Sequence, residues 1–120
     1  MKENMLVDLS KQFAVDIIKL YDEIRDTKKH TVLINQLLRC GTSIGANIHE
    51  GNYASSRADF INKFHIALKE CYETEYWLDI MKDAEIIRLE RFSDLDTKCR
   101  KIRKLLSASI KTAKDNELSC

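Results

Sequence analysis

Between Phe60 and Met81 the residues Phe60, Phe64, Ala67, Cys71, Thr74, Leu78 and Met81 recur at steps of four and three, and only Thr74 among them is polar. That spacing keeps to one face of an α-helix through successive heptads and cannot keep to one face of a strand, where sides alternate every residue. A seam so long needs partner helices of similar length to cover it. The rest of the chain supplies three. Leu6, Leu9, Phe13, Ile17, Leu20 and Ile24 predict a helix over about 6–27, with Ala14, Ile18 and Tyr21 as a second apolar stripe beside it. Leu33, Leu37, Ile44 and Ile48 predict a second helix over 32–50. The Phe60 seam belongs to a third over 56–82. Phe92, Leu95, Cys99, Ile102, Leu106 and Ala113 predict a fourth over 89–114, leaving a polar tail, 115–120, that is expected to fray.

Helix breakers sit where these runs end. The chain has no proline and three glycines, Gly41, Gly45 and Gly51, which suits a mostly helical protein. TKKHT, from Thr27 to Thr31, makes the first break. Gly51 is expected as a left-handed cap closing helix two, and Ser56 three residues before Asp59 reads as a capping-box start for helix three. Helices of about 20 residues are each ~30 Å long, and short links make neighbours run in opposite directions. The expectation is one all-α domain, 1–120, folded as an up-down-up-down antiparallel four-helix bundle.

Net charge is +1, so no global field attracts nucleic acid. The N-terminus lacks a signal-peptide core, and no run approaches the ~18 apolar residues of a membrane span. A cytoplasmic protein is expected, with Cys40, Cys71, Cys99 and Cys120 reduced.

Chemistry is harder to find. No Glu is followed by a His three residues on, and His30, His49 and His65 are scattered, so neither a di-iron bundle site nor another metal site is expected. GTSIG follows no strand and precedes no Gly-Lys-Ser/Thr, which excludes a phosphate-binding loop. Gly41 and Gly45 fit better as points where a neighbouring helix comes close. Ser43 and His49 lie on different faces, so no nucleophile–base pair can be argued. No cofactor and no small-molecule substrate are expected.

Two polar patterns remain. Arg39, Ser43, Asn47 and Glu50 on helix two face Glu70 and Glu73 on helix three. A hairpin closing near Tyr53 sets Arg39 beside Glu70 and Gln36 beside Glu73, and an arginine fork suits carboxylates. The plainest reading is a polar network that fixes register. A ligand role and a network completed by another subunit are the alternatives. The second pattern is basic: Lys98 to Lys114 contains seven cations and no acid. A solvated face near a helix C-terminus accounts for it. The alternative is a nucleic-acid contact through Arg100, Lys101, Lys104 and Lys111, although no aromatic residue interleaves these charges.

The stretch LRCGTSIGANIHEG, followed by S-x-x-DFI-x-K-x-x-IALKE-x-x-ETEYWL, resembles the bacterial family of 23S rRNA intervening-sequence proteins. That family typically shows an arginine, Ser-Ile-x-x-Asn-Ile-x-Glu-Gly, an acid-Phe pair and Ala-x-x-Glu-x-x-Glu. The matching positions are Arg39, Ser43, Ile44, Asn47, Ile48, Glu50, Gly51, Asp59, Phe60, Ala67, Glu70 and Glu73, about a third of the chain. Gly45 stands where many relatives have proline. The resemblance implies a four-helix bundle, a ring-like homopentamer and no established enzymatic activity. It also implies kinship with the nucleic-acid-binding accessory protein of diversity-generating retroelements. From the residues, the unabsorbed stripes Ala14, Ile18, Tyr21 and Ile66, Trp77, Ile80 are expected at subunit interfaces. The expected function is a non-enzymatic, self-associating interaction protein, with RNA or DNA as the alternative partner.

Overall fold

Three of the helix ends are made by identifiable local events. The computed structural model describes residues 2–119, with side chains over 5–116, so the expectation for Cys120 lies outside the described residues. The helices are α1 (Lys2–Arg25), α2 (Thr31–Asn52), α3 (Arg57–Asp83) and α4 (Leu89–Ser119). After α1 the chain turns through Lys28 and His30, both left-handed at φ 58°. Ser56 is extended and its Oγ accepts from the Asp59 N–H at 3.1 Å, the cap expected of it. After α3 the Ile86 N–H donates to the Met81 carbonyl at 2.8 Å and the Glu85 N–H to Lys82 at 3.0 Å. Glu85 itself is left-handed at φ 59°. This is a Schellman closure with glutamate in the position glycine usually holds.

Gly51 does something other than cap. No glycine has positive φ, and α2 runs through Gly51 to Asn52. A Cβ there would lie 2.7 Å from the Phe64 ring, so the missing side chain is what seats Phe64 against the α2 backbone. Gly41 does the same for Ile17, whose Cγ1 would lie 3.0 Å from an added Cβ. α1 is the neighbouring helix at both Gly41 and Gly45; the expected close approach is present at Gly41, while at Gly45 an added Cβ would lie 3.4 Å from Ser10, an ordinary contact.

Each helix packs on its two sequence neighbours, α4 also on α1, to give a body of 53 × 22 × 20 Å. Phe13, Ile17, Leu37, Ile44, Phe64, Leu78 and Leu95 are among the fully buried side chains. The α3 seam is buried from Phe64 to Met81, with Phe60 half-buried at its end. Two other seams differ by one position. In α1 the buried residue is Ser10, with Leu9 half-buried, and Ser10 packs against Gly45, where an added Cβ would lie 3.4 Å away at ordinary contact distance. In α2 it is Ile34, with Leu33 half-buried. On α4, Ile110 is buried while Phe92 and Ala113 are half-buried. The helix also continues past Lys114 to Ser119, because KDNELS contains neither proline nor glycine to stop it.

Candidate functional site

α2 and α3 bring together the one cluster with chemical potential that the sequence singled out. Arg39 Nη1 meets Glu70 Oε2 at 3.4 Å, and Arg39 Nη2 donates to Glu73 Oε2. The Trp77 indole N–H donates to the same Glu73 oxygen at 3.0 Å. One turn inward, the buried Thr74 hydroxyl donates to the Glu70 carbonyl at 2.7 Å and lies 3.3 Å from Cys40 Sγ. Arg39 lies beside Glu70 as expected. The place beside Glu73 belongs to Arg39 and Trp77, and Gln36 is exposed.

The six polar residues do not form one network. Ser43 Oγ donates to the Arg39 carbonyl at 2.7 Å, and Asn47 Nδ2 to the Ser43 carbonyl at 2.8 Å. Both bonds stay within α2, four residues back. Glu50 pairs with Lys63 at 3.7 Å. The cross-helix cluster is therefore Arg39, Glu70, Glu73, Trp77 and the Cys40–Thr74 pair beneath.

Its electrostatics fix the protonation states. Glu73 is held below the usual carboxylate range, chiefly by the Trp77 indole bond and then by Arg39. Arg39 is pushed upward by its bond to Glu73. Burial raises the Cys40 thiol to about 11, against the opposing effect of the Thr74 bond. Near neutral pH the Glu73 carboxylate is ionised and the Cys40 thiol protonated, so Cys40 supplies no thiolate nucleophile and Glu73 no proton to donate.

Among the described residues, Cys40, Glu70 and Glu73 are the one group whose ligand atoms converge, within 4.8 Å of one another. They could hold a soft divalent cation. Arg39 already places a guanidinium on both carboxylates, so a metal would have to displace it and take the Cys40 proton. Histidine spacing does not reveal this group, and Cys40 is distant in sequence from both glutamates.

A second ionic cluster was missed altogether. Arg103 Nε donates to Glu75 at 2.7 Å and Nη2 at 3.3 Å, and Arg100 also reaches Glu75, at 3.7 Å. Arg100 is further tied to Asp96 at 2.8 Å. Lys98 bonds Asp16 at 2.9 Å. Of the cations expected to contact nucleic acid, Arg100 is thus engaged, while Lys101, Lys104 and Lys111 are exposed and take part in no ion pair among the described residues.

The surplus apolar stripes fall on two faces. Ala14 lines an open groove of about 260 Å³ with Val7, Thr42, Gly45 and Ala46, between α1 and α2. Ile18 and Tyr21 continue that side of α1, Ile18 at 45% exposure. Ile66, Trp77 and Ile80 share a side of α3 with Glu70 and Glu73, beside α2, and all three are half-buried. Tyr21 and Trp77 also pack on the core, so the core takes up part of both stripes.

Among the described residues no helix is long and apolar enough to cross a membrane. A family model for 23S rRNA-intervening sequence proteins matches residues 2–108. A crystal structure from Bacteroides thetaiotaomicron VPI-5482, described as a protein with unknown function from the S23 ribosomal protein family, is 49% identical with a TM-score of 0.90. That match covers 92% of this chain and 99% of the other. No curated protein matches the chain.

Proposed function

The chain belongs to the 23S rRNA-intervening sequence protein family, and on that premise we propose that it is a non-enzymatic interaction protein that works as a cytoplasmic homo-oligomeric ring. Its subunit is an up-down-up-down antiparallel bundle. Contacts that descend one helix while climbing the next support that topology: Ile17 on Gly41 and Ser10 on Gly45, Asp16 with Lys98 and Glu23 with Arg91. On α3 and α4, Glu75 meets Arg103 and Lys82 lies over Phe92.

One observation carries the assembly: the two apolar strips occupy adjacent faces that share α2. A contact that docks one face onto the other face of the next copy is heterologous. Faces of a four-sided bundle that share a helix point about 90° apart, so such a contact turns each copy and closes a ring after about four or five subunits. Opposite faces would instead propagate a filament. The family resemblance favours five.

The non-enzymatic reading rests on the saturated Arg39 cluster, with Glu73 doubly bonded and Cys40 protonated. Light scattering coupled to size exclusion tests the assembly. The expected mass is a small multiple of 14.0 kDa, falling to one subunit in Ile18→Asp or Ile80→Asp with helicity retained. A wild-type protein running as a single subunit at micromolar concentration overturns the proposal.

A further inference from the structure

We infer that the cavity at one end of the bundle, where the α1–α2 link meets the α3–α4 link, binds a small monocarboxylate with an apolar body. The cavity measures about 750 Å³, within the ~300–1,000 Å³ of sites that enclose small organic molecules. Core residues Leu20, Ile24 and Ile87 line it together with Lys29, Arg88 and Arg91. Ile24 and Ile87, at 6% and 8% exposure, are the least covered apolar residues of the core. The last core layer is thus open to the cavity, and an apolar ligand body laid on it gains by leaving water.

Charge around the cavity sets the other half of the ligand. Glu23 is bonded to Arg91 at 3.1 Å, and that pair cancels. Lys29, Glu85 and Arg88 also line the cavity, are exposed and enter no ion pair among the described residues. Among the lysine, arginine and glutamate side chains this leaves two cations against one anion. A carboxylate supplies the missing negative charge and suits the Arg88 guanidinium fork. A doubly charged phosphate brings one charge too many beside Glu23 and Glu85, and an amine adds to the positive surplus.

Both links are held by their own hydrogen bonds. Thr27 Oγ1 donates to the Ile24 carbonyl at 2.7 Å and accepts from the Lys29 N–H at 3.3 Å. The Met81 carbonyl accepts from the Ile86 and Ile87 N–H groups at 2.8 and 3.3 Å. Walls fixed in advance have little ordering left to do when a ligand arrives. His30 and Glu85 both line the cavity, and each keeps a side chain at a left-handed position where glycine would be less strained. Backbone strain of that kind gathers at ligand clamps. None of the residues lining the cavity belongs to the Ala14, Ile18, Tyr21 stripe or to the Ile66, Trp77, Ile80 stripe. The inference therefore stands apart from the ring, and binding can be read on a single subunit or on an assembly.

Equilibrium dialysis of the full chain tests it, with phenylbutyrate as the probe. Phenylbutanamide and phenylbutylamine keep the apolar body and change the charge. The expected dissociation constant of the carboxylate is below about 1 mM, a modest demand on a ligand of this size. The amide and the amine should each bind at least about tenfold more weakly, having no charge to offer the arginine fork. Lys29→Gln with Arg88→Gln should weaken the carboxylate by about tenfold and bring it level with the amide. Ala84 is an exposed residue of the cavity wall, and Ala84→Trp should plug the space and abolish binding. All three substituted positions are exposed, and circular dichroism confirms that the variants fold. The comparison of carboxylate, amide and amine needs no variant at all. No retention of the carboxylate at a few times that concentration (about 3 mM) overturns the inference. Equal binding of carboxylate and amide overturns it too, as does binding that survives Ala84→Trp.

Discussion

The α2–α3 and α1–α4 seams are built from different materials. α2 and α3 share the most extensive contact in the bundle, and α1 and α4 the least. Along α2–α3 the backbone itself is approached: Phe64 lies on Gly51, Thr74 reaches Cys40 in the dry interior, and Arg39 closes the rim over two carboxylates. Along α1–α4 the cross-links are Lys98–Asp16 at 2.9 Å and Arg91–Glu23 at 3.1 Å, at the edge of the core. Shape complementarity specifies the first seam and screened charge trims the second. Stability should therefore be distributed unevenly, and substitutions can expose that unevenness.

The largest effect belongs to the glycine contact. Phe64→Ala should cost about 3–5 kcal/mol in denaturant unfolding by emptying the seam. Gly51→Leu should cost about 1–3 kcal/mol or more by overfilling it. If Gly51→Leu were neutral, the close approach would not be what defines this seam.

Next is alkaline pH. The folded chain keeps Cys40 protonated up to about 11, whereas an unfolded thiol ionises near 8.5. Above that lower value the unfolded chain binds fewer protons than the folded one, so stability falls as pH rises and levels off beyond the folded value. The loss is about 3 kcal/mol, at ~1.4 kcal/mol per unit of difference, read as a falling Tm between about pH 9 and 11. Cys40→Ala should flatten that fall relative to its own stability at pH 7.

Glu73→Ala should cost about 1–2 kcal/mol, because it strips both the Trp77 indole and Arg39 of a partner. Glu73→Gln keeps an acceptor for the indole and should cost less than Ala. Equal losses would mean that the charge, and not the hydrogen bond, matters. The smallest effect lies across the other seam. Lys98→Met should change stability by less than ~1 kcal/mol and lose even that in high salt. A salt-insensitive loss of several kcal/mol there would erase the contrast between the seams.

The α3 seam was legible because hydropathy and helical period agree from Phe64 to Met81. Errors arose where a small residue occupies a core position. Ser10 is buried against Gly45, and nothing about serine alone announces that. Gly51 shows the same ambiguity: a glycine near a helix end reads equally as a cap or as a seat for a ring, and only Phe64 decides. In the Arg39 cluster, hairpin arithmetic found the Glu70 partner, since a short link nearly fixes the register. Local spacing could not reveal Glu75 and Tyr72 beside Arg103. Those contacts join different helices, and a one-dimensional search for interleaved aromatics looks along only one.

The Schellman closure after α3 has a practical corollary. All three glycines serve the interior of α2, so Glu85 adopts a left-handed backbone that disfavours a side chain by roughly 1 kcal/mol. The bundle carries unused thermal headroom at its surface, where Glu85→Gly could raise its melting point without touching a buried atom.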